Sequence, residues 1–216
     1  MTRSSAGRVL RRVSHPGICE EPVGTHRRFG ERLFDEPSRL EGNPPEKVAA
    51  YRHRYFGTPF HVLVQDLMRG LSSWTVGERE LFAAFTSSRN QCRFCTTAHQ
   101  AFAASCTSDD LVAAALTAPA AAPVRPQVAA VLTFLDTLAG TAEPITADDI
   151  LAVRAAGVDD LALEEAVRIS ALFHVIKRVM DAAGAGPLEG RSLDLACRIV
   201  MGSETGTGGL GWRLRP

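Results

Sequence analysis

The chain contains 216 residues, of which 45% are hydrophobic and 22% are charged, so it is neither a disordered nor a collagen-like sequence. Its 24 lysine and arginine residues equal its 24 aspartate and glutamate residues, whereas a nucleic-acid-binding protein would normally carry a basic excess. Because no stretch of about 18 uninterrupted apolar residues is present, the sequence predicts no transmembrane helix and no membrane partner.

The five cysteines indicate the compartment of the protein. They are odd in number and mostly scattered, so they do not form the framework of a disulfide-stabilised secreted domain. The arginine-rich N-terminus is not followed by the apolar stretch of a secretory signal. We therefore predict a reducing compartment, the cytoplasm, and one special pair of thiols at Cys92 and Cys95.

Irregular segments are predicted at the two ends of the chain. Residues 1–45 are repeatedly interrupted by proline and glycine, which predicts an irregular extension that wraps the domain or a neighbouring subunit. Residues 202–216 contain five glycines and predict a flexible tail. Residues 46–201 lack the turn signals of β-hairpins and are predicted to form one helical domain.

Apolar residues at helical spacing predict a succession of helices within this domain. The predicted helices cover residues 46–53, 59–69, 76–88, 92–105, 108–116, 125–138, 147–156 and 161–183. Gly184 is placed to end the last of them, because glycine adopts the left-handed conformation that stops a helix. The predicted fold class is therefore all-α, with the helices packed as a bundle.

Polar residues before several of these helices predict how they begin. Thr75 and Glu78 have the spacing of a capping box, in which each side chain accepts a hydrogen bond from a free backbone donor of the other. Thr146 and Asp149 form a second box at the helix that follows residue 146. Asn90 is predicted as the N-cap of the helix that carries the cysteine pair.

The candidate catalytic residues are Glu80, Cys92, Cys95 and His99. The two cysteines lie one helical turn apart, with Cβ atoms about 5–6 Å apart in an ideal helix against about 3.8 Å in a disulfide. That gap closes most easily in a first helical turn, where free N–H groups also favour a thiolate. This pattern predicts a redox-active thiol pair.

His99 and Glu80 are predicted to move protons for this pair. His99 follows Cys95 by four residues, so its imidazole can take a thiol proton and stabilise the thiolate. Glu80 lies on the preceding helix, where a half-buried carboxylate can orient the imidazole. Because His99 is closer in sequence to Cys95 than to Cys92, we predict that Cys95 attacks and that Cys92 resolves.

Two readings without catalysis remain open for the same residues. Cys92, Cys95, His99 and Glu80 could be four zinc ligands of a structural site, although such sites more often use two cysteine pairs. The pair could also belong to a redox-sensing interaction module. We favour the enzymatic interpretation and predict no metal ion.

Two further cysteine and histidine positions carry weaker signals. Cys106 lies on the same helical stripe, where a small buried thiol is the expected role. His174 lies in the most hydrophobic predicted helix and is expected to be a core or interface residue, with a place in a substrate pocket as the alternative.

The spacing of Glu80, Cys92-x-x-Cys95 and His99 resembles that of the alkylhydroperoxidase D-like family, within the carboxymuconolactone decarboxylase-like superfamily. Phe173-His174-Val-Ile-Lys-Arg178, followed by Gly184, is similar to that family's Phe-Asn-x-x-x-Arg-x-x-x-x-x-Gly segment. The resemblance covers about residues 46 to 185. It implies an all-helical homo-oligomer, a trimer or a hexamer, with an antioxidant peroxidase or thiol–disulfide oxidoreductase activity.

The resemblance also implies roles for individual residues. The second cysteine attacks in this family, which agrees with Cys95, and an external dithiol restores the pair without any other cofactor. Two positions depart from the family's pattern. Phe94 stands where the peroxidase type has a second histidine, and His174 replaces an asparagine. We assign both weakly to a substrate pocket, for a hydroperoxide or, as the alternative, a natural-product or aromatic intermediate of a specific pathway.

Overall fold

The computed structural model describes residues 58–140, 144–182 and 184–201. The predicted helix at 46–53, the extension at 1–45 and the tail at 202–216 lie outside the described residues. The described part contains no β-strand, which confirms the all-α prediction. Its α-helices are α1 (Thr58–Arg69), α2 (Val76–Arg89), α3 (Arg93–Cys106), α4 (Asp109–Thr117), α5 (Pro126–Ala139), α6 (Ala147–Ala155), α7 (Asp160–Ala182) and α8 (Gly190–Met201). A short 3₁₀ helix, Pro119–Ala121, precedes α5.

The predicted capping boxes are confirmed. At the start of α2, the Thr75 N–H donates to Glu78 Oε2 at 2.9 Å, and the Glu78 N–H donates to Thr75 Oγ1 at 3.3 Å. Thr146 and Asp149 form the same reciprocal pair at α6. Gly184 has φ 65° directly after α7, as its predicted role in ending that helix requires.

The predicted N-cap of α3 was wrong. Asn90 ends α2, and the N-cap of α3 is Cys92 itself. The reason is a tight three-residue connection, Asn90 to Cys92, in which Gln91 adopts the left-handed region with φ 61°. The Cys92 N–H then donates back to the Ser87 carbonyl at 2.9 Å, so the N-cap lies two residues later than predicted.

Residues 190–201, for which no helix was predicted, form α8. Its apolar residues do follow a helical period, at Leu193, Ala196, Cys197 and Val200. Ala196 packs with Ala98 and Phe102 of α3 in a small cluster. The helix therefore covers the outer face of α3.

Helix α2 forms the centre of the bundle. Residues 79 to 87 are buried on every face, so this helix is not the one-sided amphipathic helix that its spacing suggested. Trp74, just before α2, donates from Nε1 to the Ala162 carbonyl of α7 at 2.8 Å. At the other end, Asn90 Nδ2 donates to the Phe173 carbonyl at 3.3 Å. The helices α2 and α7 therefore run in the same direction, whereas α2 and α3 form an antiparallel hairpin.

This hairpin is held close by Gly77. A Cβ atom at Gly77 would lie 2.8 Å from Cys106 Cβ, well inside normal contact distance. Gly77→Ala is therefore expected to lower the free energy of unfolding by on the order of 1 kcal/mol, because overpacking outweighs the better helix propensity of alanine. Urea unfolding would measure this change, with Gly186→Ala as the control, since a Cβ at Gly186 meets nothing within 4 Å. A gain in stability for Gly77→Ala would contradict the close approach of α2 and α3.

Candidate functional site

A buried carboxylate joins three helices. Glu80 of α2 is only 1% exposed, and its two oxygens have different partners. His99 Nδ1 of α3 lies 2.5 Å from Glu80 Oε2, and Arg69 Nη2 of α1 lies 2.6 Å from Glu80 Oε1. The structure thus brings Glu80 and His99 together as predicted and adds Arg69.

Glu80 remains ionised because of these partners. Burial by itself raises the pKa of the Glu80 carboxyl, but His99 and then Arg69 outweigh burial and hold the pKa below its ordinary value. An ionised carboxylate can only accept a hydrogen bond, so His99 donates from Nδ1. This fixes the imidazole tautomer and leaves Nε2 for proton exchange with a substrate.

Aromatic rings hold the imidazole in place. The His99 ring lies edge-on to Phe173 at 4.5 Å between centroids and edge-on to Phe102 at 5.3 Å. Arg69 Nη2 also contacts Met201 Sδ at 3.4 Å, at the end of α8. Side chains of α1 and α3 therefore contact Glu80 directly, and side chains of α7 and α8 contact its two partners.

The cysteine pair lies at the beginning of α3. Cys92 and Cys95 are both free thiols and both 1% exposed. Interaction with the Cys95 thiol lowers the pKa of Cys92 to about 7, against the effect of burial. The same interaction, together with burial, raises the pKa of Cys95. The pair thus loses one proton readily and retains the second.

Ionisation and sequence distance favour different sulfurs. Cys92 is the preferred thiolate of the reduced pair, whereas the distance to His99 along the helix favours attack by Cys95. Since the two thiols share one proton, the first ionisation belongs to the pair and the charge can reside on either sulfur. The order of attack stays a prediction.

The Glu80–His99 pair and the cysteine pair are neighbours through α3, but no hydrogen bond in the described part of the chain joins them directly. Among the described residues, no hydrogen bond joins the His99 ring to either sulfur. Phe173 of α7 links them instead, because its ring packs on His99 and its carbonyl accepts from Asn90 in the turn that leads to Cys92. Transfer of a proton between His99 and a sulfur would need a substrate or solvent between them.

The weaker candidates occupy other positions. Phe94 is buried within the core cluster, and His174 is half-buried on α7, where burial and then Arg178 lower the pKa of its imidazole. No hydrogen bond or ring contact among the described residues joins Phe94 or His174 to Glu80, His99 or the cysteines. Their place in a substrate pocket stays a prediction.

The expectation that Cys106 is a buried thiol was wrong. Cys106 is exposed at the end of α3, because the hairpin partner at that level is Gly77, which has no side chain to cover it. It lines a separate cavity of about 570 Å³ together with Leu81 and Val128.

Three charged side chains of this region were not identified from the sequence. Arg69 lies on a different helix from Glu80, and no spacing rule pairs the two. Lys177 and Asp181 are a helical i, i+4 ion pair on α7, with Nζ and Oδ2 2.5 Å apart. Both of their charges act on the cysteine pair, and only the i, i+4 spacing could have drawn attention to them.

The described residues contain no group of three or more histidine, cysteine, aspartate or glutamate side chains placed to hold a metal ion. Within the same residues, no helix has the length and apolar character needed to cross a bilayer.

Comparison with known proteins places this geometry on a recognised fold. No protein-family profile and no curated protein sequence matches the chain. A solved structure of the alkylhydroperoxidase AhpD core, an uncharacterized peroxidase-related protein from Ralstonia eutropha JMP134, is 23% identical with a TM-score of 0.62. That match covers 80% of this chain and 90% of the other. The chain has the alkylhydroperoxidase D-like fold.

Two further solved structures share this fold. An uncharacterized peroxidase-related protein from Silicibacter sp. TM1040 is 24% identical with a TM-score of 0.61, covering 77% of this chain and 86% of that chain. The debrominase Bmp8, solved in complex with 2,3,4-tribromopyrrole, is 12% identical with a TM-score of 0.60, covering 82% and 92% respectively. Likeness at these identities establishes the fold and confirms the architecture that the sequence resemblance implied.

Replacing the central carboxylate tests its structural role. Glu80→Gln leaves Arg69 without its buried counter-charge, so we expect the free energy of unfolding at pH 7 to fall by about 3 kcal/mol. Glu164→Gln, which breaks the exposed Glu164–Arg168 pair of α7, is the control and is expected to change it by less than about 0.5 kcal/mol. Equal effects of the two variants would contradict the central role of Glu80.

The pH dependence of stability in Glu80→Gln provides a second test. Because the pKa of Glu80 is lower in the folded protein than its ordinary 4.5, its stabilisation is complete above that value and disappears as pH falls through the folded value. The stability difference between wild type and Glu80→Gln should therefore narrow as pH falls below about 4.5. A difference that widens in acid would mean that Glu80 is protonated at neutral pH.

The ionisation of the thiol pair can be measured separately. Cys95→Ala removes the main group that lowers the pKa of Cys92, so alkylation of Cys92 should require a higher pH than in wild type. Cys95→Ser keeps a hydroxyl donor at that position and should raise the pKa less. The pH dependence of iodoacetamide labelling, measured by peptide mass, checks both variants. Preferential labelling of Cys95 in wild type would contradict the assignment of Cys92 as the preferred thiolate.

Proposed function

We propose that the protein is a thiol-dependent oxidoreductase of the peroxidase type. The observation that carries this proposal is the adjacency of two free thiols, Cys92 and Cys95, to a buried, ionised Glu80–His99 pair. The fold shared with peroxidase-related proteins agrees with it. The proposed partners are a hydroperoxide and an external dithiol reductant, with no other cofactor.

The reaction begins with one thiolate at the pair. Cys95 attacks after the shared proton has moved to Cys92; its sulfur bonds to the terminal peroxide oxygen, and the O–O bond breaks. When the thiol pair ionises, its proton passes through solvent or substrate to His99 Nε2, and Glu80 stabilises the positive charge of the ring. The leaving alkoxide then takes this proton from Nε2, which returns the ring to its neutral form. The product alcohol departs and Cys95 is left as a sulfenic acid.

The second step closes the disulfide. Cys92 attacks the sulfenic acid sulfur, and the hydroxyl group leaves as water with the Cys92 proton. The first turn of α3 supplies the backbone freedom that this closure needs. An external dithiol then reduces the disulfide by exchange and is itself oxidised, which restores both thiols.

Intact mass tests this cycle. Stoichiometric hydroperoxide should remove about two mass units from the reduced protein, as expected for an internal disulfide. Cys92→Ser should stop at a stable sulfenic acid, and Cys95→Ser should not react. The reverse pattern would assign the attack to Cys92, and unchanged mass in wild type with both thiols still titratable would overturn the peroxidase proposal. Cys106→Ser is the matched control, since it removes a thiol far from the pair and should react as wild type does.

A second candidate function is reductive removal of halogen from an aromatic substrate. The debrominase Bmp8 has the same fold and was solved with 2,3,4-tribromopyrrole, which favours this alternative. In this chain the two thiols could supply two electrons, so that a carbon–bromine bond becomes a carbon–hydrogen bond with release of bromide and formation of the disulfide. Bromide release from a brominated pyrrole, in the presence of dithiothreitol but absent for Cys95→Ser, would support it over peroxide reduction.

We also propose that the protein is a cytoplasmic homo-oligomer. Val62 and Leu63 of α1 and Leu195 of α8 expose about half of their surface, which supports association through apolar side chains. Light scattering coupled to gel filtration would give the mass in solution. A monomer at micromolar concentration would contradict the trimer or hexamer that the resemblance implies.

A further inference from the structure

One face of α7 continues from the core to the thiol pair. Ser170 and Phe173 on this face are fully buried. Lys177 and Asp181 follow Phe173 by four and eight residues, so they lie on the same side of the helix. Because α7 runs in the same direction as α2 and is tied to Asn90 at Phe173, the next turn of α7 passes beside the residues that follow Asn90, which include Cys92.

The ion pair on this turn differs from an ordinary surface pair. Lys177 Nζ lies 2.5 Å from Asp181 Oδ2, and the Lys177 side chain is only 17% exposed. The Arg168–Glu164 pair has the same i, i+4 type on the same helix, but its side chains are 58% and 55% exposed. Lys177 is therefore partly withdrawn from solvent, where its charge is screened less.

The two charges act on the cysteines in opposite directions. Asp181 raises the pKa of both Cys92 and Cys95, and Lys177 lowers both to a smaller extent. Other charged groups around the cysteine pair are either ion-paired with other residues or exposed to solvent. Glu80 is bound to Arg69 and His99, and Arg93, beside Cys92, is exposed to solvent.

We propose that the Lys177–Asp181 ion pair is a positioning element of the thiol site. Lys177 stabilises negative charge on the cysteine pair, while Asp181 holds Lys177 in place and limits how much charge the pair carries. This inference rests on the proposed function, since it concerns the thiols that would react. Any motion or ligand that draws Lys177 away from Asp181 and toward the sulfurs would make the pair more nucleophilic.

The test measures thiolate formation and requires no substrate. The rate of iodoacetamide alkylation of Cys92 at pH 6, divided by its plateau rate at high pH so that the effect of burial on reagent access cancels, reports the thiolate fraction. Lys177→Met should slow this rate by about two- to three-fold, and Asp181→Asn should increase it by about three- to five-fold. The double variant should lie between the single variants, somewhat faster than wild type, because the influence of Asp181 is the larger. Arg168→Gln, on the opposite side of α7, is the control and should match wild type.

The alkylation rates of the variants decide whether Lys177 and Asp181 act on the thiols. Opposite changes in the two single variants support it, because general loosening of α7 would move both rates in the same direction. Equal or parallel changes, or changes as large in Arg168→Gln, overturn it. Peroxide treatment of the same samples keeps the two proposals apart: a wild-type protein that shows the alkylation pattern but forms no disulfide loses the peroxidase function and retains the electrostatic role of Lys177 and Asp181.

Discussion

The site depends on one buried charge. Glu80 is almost completely shielded from water, and a carboxylate in such a position is stable only if its oxygens are fully partnered by donors. Arg69 and His99 satisfy that requirement from two other helices, so the interaction that keeps Glu80 ionised also fixes α1 and α3 against α2. The same contact orients the imidazole. Structural stability and proton-transfer geometry are therefore consequences of a single interaction.

The thiol pair obeys a different constraint. Two sulfurs held this close in a protein interior cannot both ionise, because the second negative charge would be buried beside the first. Above about pH 7 the reduced pair thus carries one thiolate and one thiol, the two forms that the proposed attack and resolution require. Burial also protects the pair from unselective oxidation, since reagents must reach sulfurs that are only 1% exposed.

Much of the fold and part of the site follow from local sequence rules. The capping box at Thr75 and the end of α7 at Gly184 are local features, and the helices that they bound were predicted within one or two residues. Glu80 and His99 could be paired because a short connection joins their helices. Arg69 could not be predicted, since its approach to Glu80 depends on how α1 packs. The N-cap at Cys92 also escaped prediction, because the left-handed conformation of Gln91 follows from the closure of the hairpin and not from residue preference.

The three-residue connection from Asn90 to Cys92 has a consequence for how this chain can change by insertion or deletion. A residue inserted into α2 after Glu80 would rotate the rest of that helix by about 100° and shift it by about 1.5 Å, and so short a connection has little slack to absorb the change. A single insertion would therefore turn His99 away from Glu80 and carry both sulfurs out of register with α7. The number of residues between Glu80 and Cys92, which is eleven, sets the position of the thiols relative to the carboxylate. A change in their number would dismantle the site even if every side chain that forms it were retained.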